Sequence, residues 1–248
     1  MLKPIVAGNW KMNKTPREGK FFIDDVASRL PTINNVNIIF CPPFTGLNNI
    51  DISPPYYLGA QNCFYKDDGA YTGEISIEML LECNVQYVII GHSERRHIFH
   101  ENNELIGKKM SKVNNAEMRP ILCIGETIEQ VNNGKTYDII EEQIVKGLEN
   151  VKSIDNIIIA YEPVWAIGTG LTATVEKINE IHSFIRKMLS SLYTNNNSDK
   201  IPILYGGSVN SDNANELISI DGVNGFLIGG ASLDVIKFTD IVKIVNEQ

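Results

Sequence analysis

No apolar stretch of this chain approaches the roughly 20 residues that a membrane-spanning helix requires. Near the N-terminus only Leu2 and Ile5 to Ala7 are clearly apolar, too few for the core of a secretion signal. The expectation is a soluble, cytoplasmic protein. Cysteine is scarce as well: Cys41, Cys63, Cys83 and Cys123 stand far apart and form no CxxC pair. That pattern excludes a disulfide framework and reads as free thiols, with Cys41 and Cys123 as small buried hydrophobes. Positive charge is in deficit, 22 lysines and arginines against 30 acids, for a net charge of −8. Nucleic acid and anionic membranes are therefore poor partners. An anionic substrate is also disfavoured unless a pocket supplies local positive potential.

Composition breaks are missing too, so the 248 residues read as one domain, 1–248. Within it lie eight short apolar runs: Ile5–Trp10, Val36–Cys41, Tyr57–Gln61, Tyr87–Ile90, Ile121–Ile124, Ile157–Tyr161, Ile203–Tyr205 and Gly225–Ile228. Most are continuous in hydrophobicity, as parallel strands covered on both faces are. Helical spacing lies between them, clearest in Val175, Ile178, Ile181, Ile185, Met188 and Leu192, with Thr174 as N-cap. A last helical segment opens at Ser232. This alternation marks an α/β protein with a parallel sheet. Eight strand–helix units in about 250 residues, with no G-x-G-x-x-G after the first strand, favour a (β/α)8 barrel over an open doubly wound sheet.

In such a barrel the active site lies at the C-terminal ends of the strands. Strand one ends in Asn9-Trp10-Lys11, strand four in Gly91-His92-Ser93-Glu94, and strand six in Glu162. Strands seven and eight end in Gly206-Gly207-Ser208 and Gly229-Gly230-Ala231-Ser232. Singly, each has an ordinary reading: a solvated lysine, a structural histidine, a capping acid, turn glycines. Together on one rim they supply a cation, an imidazole, a carboxylate and close-approach backbone for an anion. His92, His97, His100, Glu94 and Glu101 cluster in sequence but show no H-E-x-x-H or Cys-based spacing, so a zinc site is not expected. His97, His100 and His182 read as helix residues.

The blocks Asn9-Trp10-Lys11-Met12-Asn13, Gly59-Ala60-Gln61-Asn62, Tyr71-Thr72-Gly73-Glu74, Gly91-His92-Ser93-Glu94-Arg95-Arg96, Ala160 to Gly170 and Tyr205-Gly206-Gly207-Ser208 occur in order along the chain. Over essentially its whole length the sequence resembles the triosephosphate isomerase family. The resemblance implies a TIM barrel that interconverts dihydroxyacetone phosphate and D-glyceraldehyde 3-phosphate without metal or organic cofactor. It implies Glu162 as the base that moves the proton and His92 as a neutral electrophile, the roles established for this enzyme. Asn9 and Lys11 match substrate contacts, Glu94 a supporting acid, and Gly168, Ser208, Gly229 and Gly230 the phosphate grip. A helix beginning near Ser93 would favour the neutral form of His92.

Residues 163–173 resemble the family's lid: Pro163, Val164, Trp165, Ala166, Ile167, Gly168, Thr169, Gly170, Leu171, Thr172 and Ala173. Its apolar middle would close over substrate and exclude water. Leu171 stands where lysine is common, and Gly230 where many relatives have asparagine. The loop from Asn62 to Ser76 is long for such a connection. By resemblance it enters a second subunit, placing Thr72 near the partner's catalytic residues and making the protein a homodimer. Two other readings remain at this point: a phosphosugar barrel using Lys11 as a Schiff-base nucleophile, and a non-catalytic phosphate-binding barrel.

Overall fold

The eight apolar runs become eight parallel strands. In the computed structural model, which describes residues 2–48, 50–116, 118–166, 173–193 and 198–248, four of them are β1 (Ile5–Asn9), β2 (Asn37–Cys41), β3 (Tyr56–Ala60) and β4 (Val85–Ile90). The others are β5 (Arg119–Ile124), β6 (Ile158–Tyr161), β7 (Ile203–Tyr205) and β8 (Gly225–Ile228). Each pairs with the next, and β8 pairs with β1, so the barrel closes and leaves no strand edge. Trp10 and Gln61 fall just outside their expected strands, and β4 and β5 begin earlier than expected.

Closure explains the uninterrupted hydrophobicity. Ile5 and Ala7 meet Ile39, Ile89, Ile121 and Leu204 in the barrel interior. Their neighbours Val6, Ile38, Val88, Leu122 and Ile203 face the other way and pack beneath the helices. Both faces of each strand are dry, so period-2 alternation has no reason to appear. The interior leaves little slack: a Cβ on Gly59 would lie 2.5 Å from Cys41 Sγ. Burial accordingly raises the Cys41 thiol far above its ordinary value, and Cys63 to about 12.

The helices are α1 (Pro16–Arg29), α2 (Ile77–Glu82), α3 (Ser93–His97), α4 (Asn103–Asn114), α5 (Ile128–Asn132), α6 (Thr136–Leu148), α7 (Val175–Leu192), α8 (Ala214–Ile218) and α9 (Val235–Asn246). Helix α1 starts from a Thr15–Glu18 capping box with proline at its first position. Helix α7 is capped as expected, the Thr174 hydroxyl accepting the Lys177 N–H at 3.3 Å. Its buried face is Ile178, Ile181, Ile185 and Leu189. Leu192 is exposed, because the stripe drifts off the core over five turns.

Three expectations need correction. Among the described residues the β2–β3 connection carries a single 3-10 turn, Phe44–Gly46, in place of a helix. The last helix opens at Val235 with Asp234 as its cap; Ser232 belongs to a preceding 3-10 turn, Gly230–Leu233. His100 is not helical: it sits beyond α3 with φ 56°, whereas His97 and His182 lie in helices.

Candidate active site

At the C-terminal end of β1, Asn9 is buried and its Oδ1 accepts the Lys11 N–H at 3.0 Å. The Lys11 carbonyl accepts from Gln61 Nε2 at 2.8 Å, and the same amide donates to the Cys41 carbonyl at 2.9 Å. These bonds hold Lys11 at φ 54°, a left-handed backbone that costs a non-glycine residue about 1–3 kcal/mol. The strain aims the side chain across the barrel mouth. Its Nζ pairs with Glu94 Oε1 at 2.7 Å, and its Cε lies 3.5 Å from where a Gly229 Cβ would sit. A fixed cation thus stands at the mouth of an otherwise acidic protein.

His92 follows β4 and caps α3. Its Nδ1 accepts the Glu94 N–H at 3.2 Å, so in the neutral ring the proton is on Nε2. That nitrogen faces Glu162 Oε1 at 3.3 Å. Glu162 itself is buried, and its Oε2 accepts a long hydrogen bond from the Ser93 N–H at 3.4 Å. Its backbone is pinned by an N–H donated to the Ile124 carbonyl at 2.7 Å.

Two glycines exist for the glutamate's sake. A Cβ on Gly125 would fall 1.8 Å from the Glu162 carbonyl oxygen, and one on Gly206 would fall 2.7 Å from its Cγ. The close approach of backbone, and not turn geometry alone, fixes both positions. Beneath the carboxylate lies Cys123, whose thiol is raised well above its ordinary value by burial and then by Glu162 itself. It is an inert packing group.

Asn9, Lys11, His92, Glu162, Ser208 and Gly229 open onto one cavity of about 220 Å³. Gly230 also lines it, and a Cβ there would meet nothing within 4 Å. The Gly229 carbonyl accepts both the N–H and the hydroxyl of Ser232, at 2.9 and 2.7 Å, which bends the β8 loop around the cavity. Glu94 takes part through Lys11. Thr72 is exposed in the loop after β3 and does not line the cavity. Pro163 to Ala166 and Ala173 are described; Ile167, Gly168, Thr169, Gly170, Leu171 and Thr172 lie outside the described residues.

Two contributors escaped the sequence reading. Glu126 receives the Tyr161 hydroxyl at 3.2 Å and the Trp165 Nε1–H at 3.0 Å, both on Oε1, and so anchors the 3-10 turn Val164–Ala166. Burial raises its carboxyl above the usual range, and the Trp165 hydrogen bond only partly offsets this. Its signal was available, since it follows β5 as Glu162 follows β6. Gln61 had no such signal; its role depends on two carbonyls distant in sequence.

A base, an N–H donor, a cation and glycine loops around one small cavity suit proton transfer next to a carbonyl on a small anionic substrate. A model of the triosephosphate isomerase family matches residues 4–245. The triosephosphate isomerase of Endomicrobium trichonymphae is 45% identical over 248 residues, covering 98% of this chain and 99% of that protein. That of Thermodesulfovibrio yellowstonii is 46% identical over 246 residues, covering 98% and 100%. The crystal structure of triosephosphate isomerase from Bartonella henselae superposes with a TM-score of 0.89 at 38% identity, covering 98% of this chain and 99% of that one.

Proposed function

The chain belongs to the triosephosphate isomerase family and interconverts dihydroxyacetone phosphate and D-glyceraldehyde 3-phosphate; within that activity we propose that Glu162 is the base and His92 the electrophile. The observation that carries the assignment is the 3.3 Å approach of Glu162 Oε1 to His92 Nε2 at the wall of one cavity.

The chemistry follows from the groups in place. Glu162 takes a proton from the hydroxyl-bearing carbon beside the carbonyl and returns it to the former carbonyl carbon, while the hydroxyl proton passes to the former carbonyl oxygen, so the two oxygens exchange roles. His92 Nε2–H hydrogen-bonds the oxygen on which negative charge develops, and the Lys11 ammonium stabilises that charge. In the present arrangement the carboxylate occupies the donor that a substrate oxygen needs. Substrate entry therefore separates the Glu162 carboxylate from His92 Nε2, which it approaches to 3.3 Å here, and turns it toward carbon. The loops after β7 and β8, with Ser208, Gly229 and Gly230, hold the phosphate through backbone N–H groups and a hydroxyl, which suits a chain poor in cations. Gly168, outside the described residues, joins them as the lid from Pro163 to Ala173 closes.

Homodimer formation in the cytoplasm belongs to the same reading. Met12, next to Lys11, is 95% exposed, and Ile98, Phe99, Tyr71 and Met79 are exposed apolar side chains. A partner that buried this set would remove apolar surface from water. A second copy, with Thr72 inserted beside Asn9 and Lys11, would cover it. No described helix is long and apolar enough to cross a membrane.

The test of the base assignment is Glu162→Gln. Turnover should fall by about 10²- to 10⁴-fold, and exchange of deuterium into the substrate should be lost, while a phosphate analogue still binds. Unchanged turnover would remove Glu162 from the role. For the lid, Trp165 fluorescence should respond to the same analogue.

A further inference from the structure

We propose that Arg96 is a positioning residue for the isomerisation, its guanidinium tying the end of β4 to the end of β5 and so setting the separation between His92 and Glu162. The inference rests on the roles assigned above. Arg96 Nε–H donates to the Gly91 carbonyl at 2.7 Å, and Nη2–H donates to the Cys123 carbonyl at 2.9 Å. Nη1–H donates to Asn103 Oδ1 at 2.7 Å, which fixes the plane of the fork. Gly91 is the residue immediately before His92. On the other side, Cys123 is in register with Ala160 of β6, and Ile124 accepts the Glu162 N–H at 2.7 Å. The fork therefore grips both strand ends within one or two residues of the groups that hold the reacting side chains.

The surroundings reserve this place for it. Gly91 has φ 70°, and a Cβ there would lie 3.0 Å from Arg96 Nη2 and 3.1 Å from Ile106 Cδ1. A narrow void lined by Gly91, Ser93, Arg96, Cys123, Gly125 and Glu162 lies between the guanidinium and the carboxylate. Arg96 does not line the substrate cavity, so it acts through its neighbours. Burial lowers its pKa to about 10, with Glu162 among the charges opposing that shift. It is still a cation at neutral pH. A lysine would keep the charge but not the planar fork that reaches two carbonyls at once. Ordinary structural duty would be met by any bond within one strand end; a bridge from the strand that carries the electrophile to the strand whose Ile124 carbonyl holds the N–H of the base is specific to this arrangement.

The test measures kcat and KM for Arg96→Ala and Arg96→Lys after confirming native circular dichroism and oligomeric state. In Arg96→Ala kcat should fall about 10- to 100-fold, as for a misplaced catalytic group, with KM within about twofold. The phosphate loops belong to β7 and β8, which Arg96 does not touch. Millimolar guanidinium should restore part of the loss, and sodium chloride at equal ionic strength should not. A folded Arg96→Ala enzyme with unchanged kcat, or a loss that guanidinium leaves untouched, would overturn the proposal. Should the alanine variant not fold, Arg96→Lys decides: a lowered kcat at unchanged KM supports the tie and an unchanged kcat refutes it. Glu162→Gln, run in parallel, separates the two levels. Wild-type turnover there would defeat the base assignment, whereas a dead Glu162→Gln beside an unimpaired Arg96→Ala would defeat only the tie.

Discussion

His182 offers the sharpest quantitative prediction, because its surroundings fix both the sign and the size of its contribution. It sits on α7 with no exposed surface, its Nδ1 3.1 Å from the Gly222 carbonyl and its ring edge-on to Tyr161 at 6.0 Å. The carbonyl makes Nδ1 the donor, and Nε2 has no partner among the described residues. Burial therefore penalises the imidazolium, and the pKa falls from 6.5 to about 4. In the unfolded chain it titrates near its ordinary value. As pH falls below 6.5 the unfolded chain gains a proton that the native state refuses, and native stability drops until about pH 4. At about 1.4 kcal/mol per pKa unit the full loss is about 3 kcal/mol. Between pH 7 and pH 5 it is about 2 kcal/mol. The assay is urea unfolding of wild type and His182→Asn at one fixed protein concentration, from pH 8 to pH 5. The asparagine amide keeps a donor for Gly222 but does not titrate, and His92, His97 and His100 cancel in the difference. Wild type should lose about 2 kcal/mol more than the variant over that range. Parallel pH profiles would refute the reasoning outright.

Other outcomes follow from individual contacts. Gly206→Ala places a Cβ 2.7 Å from Glu162 Cγ; the flexible side chain yields, so the fold should survive while kcat drops about 10- to 100-fold in a coupled assay. A Cβ on Gly230 would meet nothing within 4 Å, so Gly230→Asn should leave kcat and KM close to wild type. Trp165→Phe removes the donor at 3.0 Å from buried Glu126, and chemical denaturation should show a loss of about 1–3 kcal/mol. Lys109→Met removes one of the two cations on buried Glu101, its partner at 2.6 Å, and leaves Arg95 at 2.7 Å, at a cost of about 1.5–3 kcal/mol in the same experiment. Thr72→Arg should shift the protein toward monomer in sedimentation and lower activity with it; a fully active monomer would contradict the shared-site dimer.

Much of the site was legible because it sits where each strand stops. Asn9, Lys11, His92, Glu162, Ser208, Gly229 and Gly230 each stand at or just beyond the end of a recognisable apolar run, and the barrel sends all such ends to one rim. Glu126 was as legible by that rule, two residues beyond the end of β5. Helix limits were less secure near the rim: His100 lies in the irregular segment after α3 with φ 56°, and Ser232 in a 3-10 turn where its hydroxyl bonds the Gly229 carbonyl.

By itself the chain determined strand number, parallel pairing and family, because these depend on the order of apolar runs and on short blocks of contiguous residues. Leu58, Val88, Ile121 and Ile159 are apolar on their own account, wherever the barrel closes. Tertiary structure alone decided distances and company. It brought Glu162 to His92, placed Gln61 under Lys11, and laid the Arg96 fork across two strand ends. It also made Gly125 and Gly206 clearances for a glutamate. Those relations come from closure and register, which couple residues far apart in sequence and leave no periodic trace along it.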